Sequence, residues 1–486
     1  MEDRAIPDCA SELPIVPVIC QTSRSTRRTG LLLAWLAAWC GHACLAQAHP
    51  DAAVASRPHN VIVVLVDDLG WRDLACQGGD AYETPSIDRL AAEGMRFTRG
   101  YAACTVCSPS RAALMTGQYP ARLHLTDWIA GHDKPDAKLL PPDWTKHLPL
   151  EATTLAERLR SAGYATASIG KWHLGGPRFF PEHQGFDKNV GGCDKGHPPS
   201  YFSPYGIPTL PDGPEGEYLT DREAAEAVRF IAEHREDPFF LYLPHYSVHT
   251  PLQGKPDVTA RYEAKRPPDR SPWKPTYAAM VESVDDAIGR ILDTLEALGI
   301  REQTAIVFTS DNGGLAWVTD NRPLRAGKGS AYEAGVRVPL IVSWPGVTRP
   351  GSTTDVPAIT PDIPATIQSL TGVRPDPEQP LDGRDLSDVL AGGSLDRDAL
   401  FWHYPHYHPG GATPYSAVLA GRWRLVHFYE DDRDELYDLA TDPSETMDLA
   451  AAEPERRTAL RATLDGWLVE TGAQMPVPNP KWNGHD

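Results

Sequence analysis

Cys107 opens the run Cys-Ser-Pro-Ser-Arg, and its surroundings suit an anion. The residues after it predict a helix over 110–114. Cys107 then sits near a helix N-terminus, where unpaired N–H groups favour negative charge. Arg111, one turn on, is placed to brace an oxygen of a nucleophile at position 107. Asp67-Asp68 and Asp311-Asn312 offer carboxylates and an amide, hard oxygen donors that suit Ca2+ or Mg2+ rather than a soft metal. Either pair alone would pass for a surface turn. Two such pairs, each closing a buried strand, point to a cation between them. Lys171 and His173 lie two apart, so on extended chain both face one side. Lys171 suits an anionic oxygen and His173 suits a base, although a plain surface loop would carry the same pair. Arg325-Ala326-Gly327-Lys328-Gly329 is a basic, glycine-rich loop without a Walker pattern, and Lys328 is its candidate cation. His245 and His249 have helical zinc spacing, but Pro244 and Pro251 bracket them. His249-Thr250-Pro251 reads as the chemical part and His245 as structural.

These groups need a scaffold that gathers them. Short apolar runs over 61–66, 165–169, 239–243 and 306–309 end directly in the polar clusters and fit strands buried on both faces. Helical patterns lie between them. One starts at Thr84-Pro85 and stops at Gly94; others cover 153–162, 221–233 and 277–298. Strands alternating with helices predict an α/β fold with a large, mostly parallel sheet sandwiched by helices. Ligands of such sheets gather beyond the carboxyl ends of the strands, where all four clusters fall. After about residue 395, aromatic-rich segments over 400–407, 415–419, 422–428 and 435–439 read as antiparallel strands, and a last helix covers 454–471. The expected division is a targeting segment over 1–48, a catalytic domain over 58–395 and a C-terminal α+β subdomain over 396–486.

The formal net charge is −19, which argues against nucleic acid and anionic membrane as partners and requires a local cation cluster to hold any anion. Arg24, Arg27 and Arg28 precede an apolar run from Leu31 to Trp39, and Ala46-Gln47-Ala48 suits signal peptidase. This predicts export to the periplasm or outside by a Sec signal, in preference to a twin-arginine or lipoprotein route. No membrane association is expected after cleavage. Cleavage would leave Cys76, Cys104, Cys107 and Cys193, too few for a disulfide framework.

The run Cys107 to Gly117 resembles the signature of the type I sulfatases of the alkaline-phosphatase-like superfamily. Asp67-Asp68-Leu69-Gly70, Gly170-Lys171-Trp172-His173-Leu174-Gly175, His249-Thr250-Pro251, Ser310-Asp311-Asn312-Gly313, Gly327-Lys328-Gly329 and Glu435-Leu436-Tyr437-Asp438-Leu439 extend the resemblance over residues 59–449. It implies an arylsulfatase-like sulfuric ester hydrolase. Cys107 would be oxidised to formylglycine by a formylglycine-generating enzyme. One Ca2+, favoured over Mg2+, would be bound by Asp67, Asp68, Asp311 and Asn312 together with the formylglycine at 107. Lys171 and Lys328 would hold sulfate oxygens, His249 would protonate the leaving oxygen, His173 would help expel sulfate, and Arg111 would steady the hydrate. The substrate implied is a sulfated carbohydrate. Trp128, His132, Asp194, Lys195, His197, His403 and His406 are candidates for contacting it, by stacking or by bonding hydroxyls. A phosphodiesterase or phosphonate monoester hydrolase on the same fold is the alternative, and a non-catalytic anion-binding protein a more distant one.

Overall fold

The computed structural model describes residues 60–484, so the expected targeting segment over 1–48 lies outside the described residues. A nine-stranded sheet runs through the body. Its strands, in chain order, are β1 (Asn60–Val66), β2 (Met95–Tyr101), β3 (Ala165–Ile169), β4 (Lys188–Val190), β5 (Phe239–Pro244), β6 (Thr304–Ser310), β7 (Arg337–Ser343), β8 (Ser352–Thr354) and β9 (Ala358–Ile359). Across the sheet they lie in the order β9-β2-β7-β6-β1-β5-β3-β4, with β8 also beside β2. The α/β expectation holds, and the sheet is mostly parallel. The exception is β7, which is antiparallel to both β6 and β2.

Every residue of β1, β5 and β6 is buried. Alternation assigns their side chains to two cores. Ile62, Val64 and Val66 pack with the helices Leu219–Glu233 and Pro275–Ala297. Val61, Val63 and Leu65 pack on the opposite face with Cys107–Thr116, Leu155–Ser161 and Asp362–Thr371. Burying both faces is why these strands read as continuous apolar runs.

The helix expected from Thr84-Pro85 spans Pro85–Glu93, with Thr84 at the N-cap position. The Thr84 hydroxyl makes no cap bond and instead joins Ala75 N and Asp88 Oδ1. Thr154 does cap its helix, in a box with Glu157.

The expected antiparallel sheet is present as β10 (Leu400–Tyr404), β11 (Tyr415–Ala420), β12 (Trp423–Phe428) and β13 (Arg433–Asp438). The last helix, Pro454–Glu470, lays Leu460, Leu464, Trp467 and Leu468 against it. Phe401 stacks on Trp467 with ring centroids 4.9 Å apart. On the other face, Leu400, Trp402 and Tyr404 turn toward the main body, and Trp402 Nε1 donates to Ala102 O at 2.9 Å. No helix of the described residues is long and apolar enough to cross a membrane. The four described cysteines are free.

Candidate active site

Topology brings the chemistry to one sheet edge. Asp67-Asp68, Gly170 to His173, His245 to His249 and Asp311-Asn312 leave the carboxyl ends of the parallel strands β1, β3, β5 and β6. Because β7 runs the other way, its amino end meets the same edge and delivers the loop carrying Lys328. Strand β2 leads to that edge too, and Cys107 follows it as the first residue of the helix Cys107–Thr116. The whole of this helix is buried. It starts earlier and ends later than the expected 110–114.

The acidic pairs form a cradle. Asp68 N donates to Asp311 Oδ1 at 3.2 Å, and Asn312 Nδ2 donates to Asp68 Oδ1 at 2.8 Å. Lys171 Nζ stands 2.5 Å from Asp67 Oδ2, and Lys328 Nζ 2.5 Å from Asp68 Oδ1. Burial pushes Asp67 well above the usual carboxylate range and the Asp311 charge adds to this, against Lys171 and Arg111. Asp68 is held low despite its burial by Lys328 and His249. Arg111 similarly holds Asp311 low against the effect of burial.

Three buried oxygens of the cradle, Asp67 Oδ1, Asp68 Oδ2 and Asn312 Oδ1, have no hydrogen-bond partner. Unpartnered buried oxygens of this kind fit a hard cation, which would satisfy them together. His249 Nε2 lies 3.6 Å from Asp68 Oδ2, close enough to border the same spot.

Cys107 Sγ lies 3.3 Å from His173 Nδ1. The other ring nitrogen of His173, Nε2, is bonded to the Ile129 carbonyl. A carbonyl only accepts, so the proton sits on Nε2 and Nδ1 faces position 107 as an acceptor. Burial, helped by Lys171, pushes His173 well below 6.5, which keeps it neutral. The extended geometry expected for Lys171 and His173 is not found. His173 has φ +58, and the turn sends Lys171 to the carboxylates and His173 to the cysteine. Asp68, at φ +61, is likewise left-handed. Both strained positions are at the site, as backbone strain tends to be.

Arg111 is tied into the cradle: its Nε donates to Asp311 Oδ2 at 2.9 Å and its Nη1 to the Lys171 carbonyl at 2.9 Å. Its side chain is wholly buried and braces the cradle from below. His249 Nδ1 pairs with the Thr250 carbonyl at 2.7 Å, and burial depresses its ring to about 3. Its Nε2 is then unprotonated, whereas Lys328 is held protonated by Asp68 against the effect of burial. His245 is buried and bonded to Glu223 Oε2 at 2.7 Å, in keeping with a structural part.

The candidate substrate residues separate. Gly196 packs over His173, and the next residue, His197, is exposed with its ring parallel to His249 at 6.1 Å. Asp194 and Lys195 belong to the same loop; His132 is exposed; Trp128 is half-buried. His403 and His406 are buried and are not positioned to meet a substrate directly. His403 is occupied at both nitrogens, by Ser416 Oγ at 2.7 Å and Gln474 O at 2.9 Å. Strand alternation turns it toward the segment after the last helix and turns Tyr404 toward the site. His406 Nε2 is bonded to Thr126 Oγ1 at 2.8 Å. His408, within the aromatic run but not singled out by sequence, packs against Gly329 beside Lys328. Gly410 N donates to its Nδ1 at 2.8 Å, which leaves Nε2 to carry the proton.

The Sulfatase family profile matches residues 59–373. The chain belongs to the sulfatase family. A second profile, N-sulphoglucosamine sulphohydrolase, C-terminal, matches residues 327–472. A sulfatase of Formosa agariphila is 32% identical, over 87% of this chain and 91% of its own. Human arylsulfatase A is 33% identical, over 84% of this chain and 87% of its own. Among solved structures, Ps i-CgsB in complex with k-i-k-neocarrahexaose shares the fold at a TM-score of 0.73 and 29% identity, covering 88% of this chain and 95% of that one. This sulfatase has the alkaline-phosphatase-like fold and is a sulfuric ester hydrolase.

Proposed function

We propose that this sulfatase releases sulfate from a sulfated carbohydrate, with a formylglycine made from Cys107 and one Ca2+ held by Asp67, Asp68, Asp311 and Asn312. The observation that carries the reading is the acceptor nitrogen of His173 at 3.3 Å from Cys107 Sγ, beside a cradle with unpartnered oxygens. The sulfur marks where the oxygens of a hydrated formylglycine would stand.

Hydrated formylglycine supplies an oxygen nucleophile with a second hydroxyl through which the aldehyde can be restored. Ca2+ supplies a Lewis acid for sulfate oxygens. The chain does the rest. Lys171 and Lys328 place two ammonium groups at the cradle, in a protein whose net charge otherwise repels anions. His173 Nδ1 accepts the proton from position 107. Proton delivery to the leaving oxygen falls to Lys328, which carries a proton in the free protein, whereas His249 presents an unprotonated Nε2. Arg111 keeps Asp311 and Asp67 in place. Cys107 is only 3% exposed, so the maturation enzyme must reach it before the chain closes.

A carbohydrate substrate is supported by the carbohydrate complex of the Ps i-CgsB relative, by the exposed His197 beside His249 and by His408 beside the Lys328 loop. The leader expected from the sequence supports work outside the cytoplasm. The test is a screen of defined sulfated mono- and disaccharides for sulfate release, with mass spectrometry of the peptide carrying residue 107. Release from a sulfated sugar by converted protein is expected. Preference for a phosphodiester or phosphonate monoester would overturn the reading.

A further inference from the structure

The tautomer of His173 depends on a carbonyl, and that carbonyl belongs to a loop with its own anchor. Ile129 sits in the loop 127–131. Its carbonyl takes the His173 Nε2 proton, and its amide donates to Ser108 Oγ at 3.1 Å. The Ser108 hydroxyl donates to the His173 carbonyl at 2.9 Å. One short loop therefore grips both the base and the residue next to the nucleophile.

Asp127 begins that loop. Its Oδ1 accepts the Trp128 amide at 2.9 Å and the Tyr404 hydroxyl at 2.7 Å, and its Oδ2 lies 3.8 Å from His406 Nδ1. Tyr404 is the last residue of β10, so the hydroxyl comes from the second sheet, 277 residues along the chain. Asp127 and Tyr404 are each 1% exposed. No lysine or arginine is among the described ion-pair partners of Asp127. Burying a carboxylate on neutral donors is expensive, and burial pushes Asp127 up to about 7. A loop that only had to close could dispense with an acid here.

We propose that Asp127 and Tyr404 are positioning residues of the sulfatase site. They fix the Ile129 carbonyl, and through it they decide that Nδ1 of His173 is the nitrogen presented to position 107. The proposal rests on the reading of His173 as the base. It gives the second sheet a part in the chemistry: Tyr404 ties β10 to the loop behind the nucleophile. A base in the wrong tautomer cannot take the proton, and in comparable triads this costs about 10^4-fold in kcat.

The test uses Tyr404→Phe, Asp127→Ala and Asp127→Asn in the full chain. Tyr404→Phe removes one hydroxyl and keeps the ring, so it should fold and lower kcat about tenfold with KM within about twofold. Asp127→Ala should lower kcat about a hundredfold or more. Asp127→Asn keeps an acceptor oxygen for Trp128 N–H and Tyr404 O–H and should recover most of that loss. The formylglycine content of position 107 should be equal in all of them. A second readout does not need turnover: 15N NMR of the imidazoles, with His173 assigned by His173→Gln. The parent protein should show His173 protonated at Nε2 only, and Asp127→Ala should show both tautomers. An unchanged tautomer in Asp127→Ala, or unchanged kcat in both Tyr404→Phe and Asp127→Ala, would overturn the proposal. A parent protein that releases no sulfate from any ester, yet shows the expected tautomer shift, would instead overturn the catalytic reading and leave the positioning intact.

Discussion

His173 presents Nδ1 to Cys107 Sγ at 3.3 Å because its other nitrogen is held by the Ile129 carbonyl. The ring is buried among positive side chains, which depress its basicity and keep it neutral. Neutral, fixed in one tautomer and aimed at the nucleophile is the state a general base requires.

Replacing that base should therefore separate chemistry from binding. His173→Gln should lower kcat by about 10^2- to 10^4-fold and change KM little. Cys107→Ala should release no sulfate at all. Steady-state kinetics on one sulfated substrate checks both, with mass spectrometry to show that residue 107 is converted in the His173 variant. Unchanged turnover in Cys107→Ala would remove the nucleophile from the account.

The cradle predicts a cation effect on stability. Asp67 Oδ1, Asp68 Oδ2 and Asn312 Oδ1 are buried without partners, and Asp67 is pushed up by burial and by Asp311. A chelator should lower the unfolding midpoint, and Ca2+ should restore it more fully than Mg2+. At a ligand concentration of 100 to 1,000 times Kd the expected stabilisation is about 3–4 kcal/mol. Asp68→Asn should abolish the response. Calorimetry with and without chelator decides it, and indifference to both ions would count against a metal site.

Much of this site is legible in the sequence because it lies at strand ends. A buried strand announces itself as an apolar run, and the residues directly after it reach the sheet edge. Asp67-Asp68, Lys171, His173, His249 and Asp311-Asn312 are therefore found without coordinates. Direction is less visible. Strand β7 looks like its neighbours, and only its antiparallel pairing explains how Lys328 arrives at the edge from the amino end. Strand β2, Met-Arg-Phe-Thr-Arg-Gly-Tyr, alternates only over its first four residues before Arg99 and Gly100 interrupt it, and it is not a continuous apolar run like its neighbours. The aromatic run 402–408 shows rich chemistry but not which face each residue takes. One step of alternation sends His403 to the segment after the last helix and Tyr404 to Asp127. Arg111 is visible as a cation, whereas its partner Asp311 lies 200 residues away and depends on the packing of a buried helix against β6.

Gly329 should be intolerant of a side chain. It has φ +73, and a Cβ there would stand 1.8 Å from His408 Nδ1. Its amide is bonded to Thr105 Oγ1 at 2.9 Å, which limits retreat. Gly329→Ala should therefore cost about 1–3 kcal/mol of stability and lower turnover by displacing Lys328. Adding His408→Gly removes the clash but not the backbone strain. The double variant should recover part of the loss in both unfolding midpoint and sulfate release. No recovery would place the whole effect on the backbone.

Stability should fall on acidification with a slope that single variants can dissect. Burial depresses His403 to about 4, and burial together with the His403 charge depresses His406 to about 3. In the unfolded chain both titrate near 6.5. Their contribution is intact above pH 6.5. It is lost as the pH falls, because the unfolded state then binds protons that the folded state refuses, by about 1.4 kcal/mol per pH unit for each ring. Asp127 works the other way. Burial raises it to about 7, so between about pH 4 and 7 the folded chain keeps a proton that the unfolded chain has released, and this contribution weakens as the pH rises. From pH 4 to 6.5 the three groups together leave roughly one histidine's slope. His403→Gln should flatten the profile of unfolding free energy against pH, and Asp127→Asn should steepen it. Parallel profiles for the parent and both variants would mean that these groups do not titrate differently in the folded and unfolded protein.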